Sequence, residues 1–347
     1  VGFAVGPGCE NPPTRANRGQ QGFQYVRAIN KGAAGIAPQG RGRRGRLWGL
    51  SLALLVMMAA GAARAEVPQP PGWTLQFSDD FNGAAGQLPS AGLWRFDVGH
   101  GYPGGPPNWG THEIQRYTTD PANLGLDGHG HLRITPRRDA AGEWTSARIE
   151  TQRDDFRPPD GGVLRMEARL QMPNVGGEAA LGYWPAFWAL GESFRRLGNW
   201  PQAGEFDIME NVNGLNLVWG TLHCGVLPDG PCGEPNGIGQ HSPCAPTTCQ
   251  GGFHTYTFEW DRSVAPEALR WYLDGQLYGV ITRDRLPPAT WQEITGQRGY
   301  FLLLNVAMGG DFAYAVSGGR ETPVPATEPG HPMVVDYVAV WTRIGSP

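Results

Sequence analysis

The sequence predicts an all-β fold of two packed antiparallel sheets, and three observations lead there. Short runs rich in β-branched and aromatic residues recur from Trp73 to Trp341, separated by Gly, Pro, Asn and Asp. Several of them alternate apolar and polar residues, RMEARLQM (165–172) most plainly, as a strand with one buried face must. Runs that could form helices, such as SFRRLGNW (193–200), are short and interrupted by Gly, with Pro201 next.

In chain order the strand-like runs are WTLQFSD (73–79), HLRITPR (131–137), VLRMEARLQM (163–172), EFDIMEN (205–211) and NLVWGTLHC (216–224). They continue with HTYTFEW (254–260), LRWYLDG (269–275), GYFLLLNVAM (299–308) and MVVDYVAVW (333–341). No linker-like stretch divides them, so residues 66–347 are expected to form a single catalytic domain.

What precedes that domain is of a different kind. Residues 1–46 are low in complexity and show no sustained period, which predicts a segment that is disordered or missing from the mature protein. RGRRGRLW (41–48) then leads into the apolar run GLSLALLVMMAAGA (49–62), and AARA (62–65) precedes Glu66. A basic flank, a short apolar run and an Ala-x-Ala ending make 47–65 a signal peptide, with cleavage expected after Ala65. The run is too short for the roughly 20 apolar residues of a membrane span. Bacterial export to the extracellular medium follows, with no membrane partner for the mature form.

Export changes the charge balance. Residues 1–65 hold nine of the 28 basic residues and one of the 32 acidic ones, leaving 19 and 31, a net of −12. An acidic surface disfavours nucleic acid and anionic membranes but is indifferent to a neutral polymer. Lys31 is the only lysine, so the mature chain cannot use P-loop phosphate binding or Schiff-base chemistry. Cys9 falls in the discarded part, leaving Cys224, Cys232, Cys244 and Cys249 in a Gly- and Pro-rich stretch. Four cysteines allow three pairings, of which Cys224–Cys232 with Cys244–Cys249 is expected; without a Cys-x2-Cys pair a zinc site is disfavoured.

The chemistry concentrates in GEFDIMEN (204–211), where Glu205, Asp207 and Glu210 fall within six residues. On a helix, residues 205 and 207 would diverge by about 200°. On a regular strand Glu205 and Asp207 share a face and Glu210 lies on the other. One extra residue between Asp207 and Glu210, a β-bulge, returns Glu210 to the shared face, with Phe206 and Ile208 turned to the core and Met209 in the bulge. Glu205 and Glu210 would then have α-carbons roughly 13 Å apart at about 3.3 Å per residue, within reach of the inward-leaning pair a glycosidase needs. An ionised carboxylate attacks, a protonated one donates to the leaving oxygen, and a third between them helps hold the two pKa values apart. A calcium loop is the rival, but this run is too apolar for one.

Twelve of the thirteen tryptophans belong to the mature part. Trp260 and Trp271 sit in strand-like runs and are expected in the core. WPAFW (184–188) and NWP (199–201) lie in loop-like sequence just before the acids, where Trp184 and Trp200 are suited to stacking on sugar rings.

With these residues in view, the chain resembles glycoside hydrolase family 16 in its laminarinase-like (endo-β-1,3-glucanase) branch. The match rests on Glu-x-Asp-x-x-Glu together with EIQRYT (113–118), SARIET (146–151), WPAFWALG (184–191), WPQAGE (200–205), TLHC (221–224), FHTYTFEWD (253–261), LLNVAMGGDF (303–312) and VVDYVAVW (334–341). The resemblance implies a curved β-jelly roll, a sandwich of two antiparallel sheets with a concave substrate cleft, that cuts internal β-glycosidic bonds with retention. By matching position it implies Glu205 as nucleophile, Asp207 as its assistant and Glu210 as general acid/base. Trp184, Trp188 and Trp200 match cleft-lining positions, and Arg148 and His223 match polar positions near the nucleophile. Glu113 and Asn305 are further substrate-binding candidates, and Phe312 stands where relatives often place a stacking tryptophan. No cofactor is implied for catalysis; a structural calcium is, through Asp336 with Asp80 as helper.

The expected partner is a β-1,3 or mixed β-1,3/1,4 glucan, acted on by a monomer. Agarases and carrageenases share the longer motif, a transglycosylase would use the same acids, and a glucan-binding protein without catalysis would lack them.

Overall fold

The computed structural model describes residues 66–345; the upstream segment 1–46 and the expected signal peptide 47–65 lie outside the described residues. In chain order the strands are β1 (Thr74–Asp79), β2 (Trp94–Asp97), β3 (Arg116–Tyr117), β4 (Leu124–Leu126), β5 (Leu132–Ile134) and β6 (Arg137–Arg138). Next come β7 (Trp144–Ser146), β8 (Arg148–Thr151), β9 (Val163–Gln171), β10 (Tyr183–Gly191), β11 (Glu205–Glu210) and β12 (Val218–His223). The last are β13 (Ile238–Ser242), β14 (His254–Asp261), β15 (Ala268–Leu273), β16 (Gln276–Thr282), β17 (Tyr300–Met308) and β18 (Met333–Arg343). Helices are few and short: α1 (Phe194–Leu197), α2 (Pro288–Thr295) and α3 (Gly310–Val316).

Two large antiparallel sheets form the sandwich of a jelly roll, as the alternating runs predict. One has the order β16-β15-β14-β9-β18-β5-β4, with β1 added along β18; the other runs β13-β12-β11-β10-β17-β8-β2. A third, three-stranded sheet of β3, β7 and β6 contains the parallel pair β3–β7, which the sequence reading did not foresee. All nine strand-like runs are strands.

The core lies between the two sheets. Phe206 of β11 stacks on Phe258 of β14 at 4.5 Å and on Tyr300 of β17 at 4.4 Å between ring centroids. Each such fully buried side chain contributes on the order of 1.5–3 kcal/mol. Trp260 and Trp271 are buried in this layer, as expected.

One expectation is corrected. WPAFW is not loop but the middle of β10, a central strand paired with β11 on one side and β17 on the other. Pro185 argues against a central strand because it cannot donate to a ladder. Here its carbonyl accepts from Asn211 N at 3.1 Å, one step past the last β10–β11 pair, Ala186 with Glu210. The missing N–H therefore falls at the end of that ladder and leaves the pairing with β17 uninterrupted.

Candidate active site on the β11 face

The bulge is present. Between Asp207 and Glu210, β11 advances three residues while β12 advances two, from Thr221 to Trp219. Against β10, Phe187 pairs with Met209 and Trp188 with Asp207, so Ile208 has no partner there. Ile208 and Met209 are both fully buried. Directly opposed residues of neighbouring strands share a face. Glu205 faces His223, Asp207 faces Thr221 and Glu210 faces Trp219 on β12, so the three acids stand on one side of the sheet. The same rule carries the face across the sheet: Glu210, Ala186, Asn305, Arg148 and Asp97 form one row.

The side chains along this face interlock. Trp184 Nε1 donates to Glu210 Oε1 at 2.8 Å, and Trp184 meets Phe312 edge-on at 5.6 Å. Phe312 packs equally against Trp219 at 5.4 Å, so it forms the wall behind Glu210. Trp188 Nε1 donates to Asn305 Oδ1 at 2.8 Å, and Asn305 Nδ2 donates to Tyr117 Oη at 3.1 Å. Tyr117 in turn donates to Glu113 at 2.9 Å, so buried Glu113 anchors this chain of hydrogen bonds from behind. Trp200 packs on the small apolar cluster of Leu190, Ala203, Phe301 and Leu303, its ring 5.6 Å from that of His223.

Burial and the charge of Asp207 hold Glu205 well above the usual carboxylate range, with His223 opposing that shift. The same two causes raise Glu210 to about 8, while the bond from Trp184 works against them. Three acids so close cannot all ionise. His223 Nε2 lies 3.2 Å from Asp207 Oδ2 and 4.0 Å from Glu205 Oε1, so the positive charge favours ionisation at that end. Glu210, at the other end, is the acid raised to about 8.

Two expectations are corrected here. Arg148 does not stand beside the nucleophile. It lies on β8, three strands from β11, about 14 Å away at ~4.8 Å per strand. There its buried guanidinium pairs with Asp97 at 2.9 Å and sits 4.6–5.0 Å from the rings of Tyr102, Trp109 and Trp188. Nor do Asp336 and Asp80 make a calcium site. Asp336 is taken by the guanidinium of Arg169 at 2.5 Å, and Asp80 accepts from Asn82 Nδ2 at 2.6 Å. A cation already covers the Asp336 carboxylate, so these residues do not fit calcium.

Among the described residues, donor atoms of Glu205, Asp207 and His223 lie within 4.8 Å of one another. His223 faces a carboxylate with each ring nitrogen and holds its second proton well above the usual histidine range, so it keeps no lone pair for a metal. A groove of about 670 Å³ lies on the outer face of the other sheet, around Trp73, Arg165 and Tyr337. Its groups satisfy one another: Arg165 pairs with Glu259 at 2.7 Å, and both Arg165 and Arg343 lie over Trp73.

Sequence reasoning missed Tyr102, Trp109, Asp97, Trp219 and Glu234. The first two sit in GYPGGPPNWG (101–110), where aromatic rings among Gly and Pro are a readable signal. Asn108 and Trp109 there adopt left-handed backbone, at φ of 52° and 56°, a strain of about 1–3 kcal/mol each that tertiary contacts must hold. Asp97, Trp219 and Glu234 carry no local signal.

Paired acids set among indole rings on one face of a β-sandwich define a glycoside hydrolase. A family profile described as "XgeA-like, catalytic GH16 domain" matches residues 162–229. The chain is 34% identical over 280 residues to a beta-glucanase of Rhodothermus marinus, covering 78% of this chain and 86% of that protein. Its fold is similar to the solved endo-1,3-beta-glucanase of Streptomyces sioyaensis, at 57% identity and a TM-score of 0.78, over 82% of this chain and 100% of that one. The laminarinase catalytic domain of Thermotoga maritima MSB8 is similar at 30% identity and a TM-score of 0.60, over 78% of this chain and 98% of that one. The chain belongs to glycoside hydrolase family 16, in its laminarinase-like branch.

Proposed function

We propose that the protein cleaves internal β-1,3 linkages, or β-1,3 linkages in mixed β-1,3/1,4 chains, of a glucan by double displacement with retention. The observation that carries this is the bulge, which aligns Glu205, Asp207 and Glu210 on one face with Trp184 bonded to Glu210. The beta-glucanase and endo-1,3-beta-glucanase relatives support the choice of polymer.

In the first step a carboxylate oxygen of Glu205 attacks the anomeric carbon. The glycosidic C–O bond breaks, and the proton of Glu210 goes to the departing sugar oxygen. In the second step ionised Glu210 takes a proton from water, whose oxygen attacks the anomeric carbon and releases Glu205. The charge of Asp207 favours the protonated form of Glu210, and the charge of His223 favours ionised Glu205. Trp184, Trp188 and Trp200 present rings to the sugar faces, and Phe312 bounds the site beside Trp184.

The disulfides Cys224–Cys232 and Cys244–Cys249 have the predicted pairing and suit an oxidising compartment. Among the described residues no helix is long and apolar enough to cross a membrane. The disulfides support a secreted enzyme; release by cleavage after Ala65 and action as a monomer complete the reading.

The test is reducing-end release from laminarin, lichenan and agarose. Oligosaccharides of many sizes from laminarin are expected, with Glu205→Gln folded but inactive. No release from any β-glucan would overturn the reading, and release from agarose alone would reassign the polymer.

A further inference from the structure

His223 is held from both sides, and the second side belongs to a residue outside the acid motif. Glu234 lies in the segment between β12 and β13, inside neither strand, with its carboxylate wholly buried. Its Oε2 stands 2.7 Å from His223 Nδ1, and its Oε1 accepts from the backbone N–H of Cys224 at 2.7 Å. The segment is folded back by the Cys224–Cys232 disulfide and by the paired backbones of Asp229 and Glu234. The carboxylate is thus delivered to one spot by a covalent link and a backbone pair. A buried carboxylate is costly unless it is matched by charge and hydrogen bonds, and among the described residues the imidazole is the cation paired with it.

We propose that Glu234 is a positioning residue of the hydrolase, holding His223 as an imidazolium with its Nε2 edge beside Asp207 and Glu205. This rests on the reading of Glu205 as nucleophile. The charged groups facing the ring are Asp207, Glu205 and, further off, Glu210 on β11, with Glu234 on the opposite side. One imidazolium lies among four acids, and its charge opposes the upward shifts of Glu205 and Glu210. Burial opposes that charge, and the contacts with Asp207 and Glu234 outweigh it, so the ring keeps its second proton well above the usual histidine range. Without Glu234, Nδ1–H would lose its acceptor, the ring could turn, and the second proton would leave at lower pH. Glu234 touches neither the sugar nor the reacting atoms; it acts through His223.

The test compares wild type with Glu234→Gln, which keeps the size of the side chain and one acceptor oxygen, enough for Cys224 N–H or His223 Nδ1–H but not both, and removes the charge. kcat on laminarin is expected to fall roughly tenfold, the worth of about one pKa unit, with KM little changed. The acid limb of the kcat profile should move to higher pH, because neutral His223 no longer favours ionised Glu205, an effect larger than the loss of the opposing Glu234 charge. A merely structural role would lower Tm and leave that limb in place. Nitrogen NMR of His223 supplies the independent readout: in wild type both ring nitrogens should carry protons at pH 7, with a lower titration midpoint in Glu234→Gln. A neutral His223 at pH 7 in wild type would overturn the proposal even if the variant does not fold. So would a Glu234→Gln enzyme with unchanged kcat and pH profile. Inactivity of wild type on every β-glucan would instead refute the assignment of function, while the NMR result would still decide the state of His223.

Discussion

The indole Nε1 of Trp271 donates a 2.8 Å hydrogen bond to the backbone carbonyl of Asp207, reaching up from the sheet beneath the acids. A bulge disturbs the ladder around this carbonyl, and the buried indole fixes it there. Gly220, on β12 opposite the bulge, makes the approach feasible: an added Cβ would stand 2.4 Å from Trp271 Cδ1 and 2.7 Å from Tyr278 Oη. Trp271→Phe should therefore cost about 1–3 kcal/mol for the unsatisfied carbonyl. It should also lower kcat more than it raises KM. Urea unfolding and initial rates on laminarin check both, and Gly220→Ala should act in the same direction. Full kcat in a destabilised Trp271→Phe would show that the bulge holds its shape without the indole.

Glu210 trades stability for reactivity, and the sign is testable. Its proton is bound more tightly folded, at about 8, than at the ordinary 4.5. Below about pH 4.5 both states are protonated and the group contributes no pH dependence. As pH rises from 4.5 to 8 the unfolded chain ionises first, so stability falls across that window. Glu210→Gln lacks this loss. Its Tm should match wild type near pH 4 and exceed it at pH 8, while hydrolysis of polymer is abolished and that of substrates with good leaving groups is largely spared.

Trp184 tunes the same acid. Its bond to Glu210 favours the ionised form, so Trp184→Phe should raise the Glu210 pKa further and carry the alkaline limb of kcat/KM to higher pH. A weaker acid and a lost stacking surface should lower kcat and raise KM together. An alkaline limb that stays fixed would place the controlling proton elsewhere.

Arg148 offers a test of the far end of the face. Its removal leaves Asp97, already raised by burial, without its guanidinium partner. Arg148→Met should cost about 3–5 kcal/mol, the usual penalty for orphaning a buried charge. Arg148→Lys should recover part of the stability but not the packing against Tyr102, Trp109 and Trp188. Thermal melts of the two variants separate charge from packing.

Much of this was readable from the chain. Alternation exposes strands such as β9 because one face is buried and the other wet, and the count from Glu205 to Glu210 exposes the bulge because period two allows no other way to one face. β10 was hidden by Pro185, whose cost vanishes at a ladder end that no local sequence reveals. Short strands such as β3 and β6 have too few residues to show a period. Arg148 and Asp336 were misplaced because matching a family segment fixes a position in the chain but says nothing of the charged partners packed around it. Glu234 was invisible because its partner, His223, is reached only through the folded segment between them.

Stereochemistry tests the central claim most directly. Proton NMR of the anomeric signals, taken in the first minutes of laminarin cleavage, should show β-configured reducing ends before mutarotation mixes them. That result is required if Glu205 attacks and water follows on the same face. First-formed α anomers would mean a single displacement, and Glu205 would then not be the nucleophile.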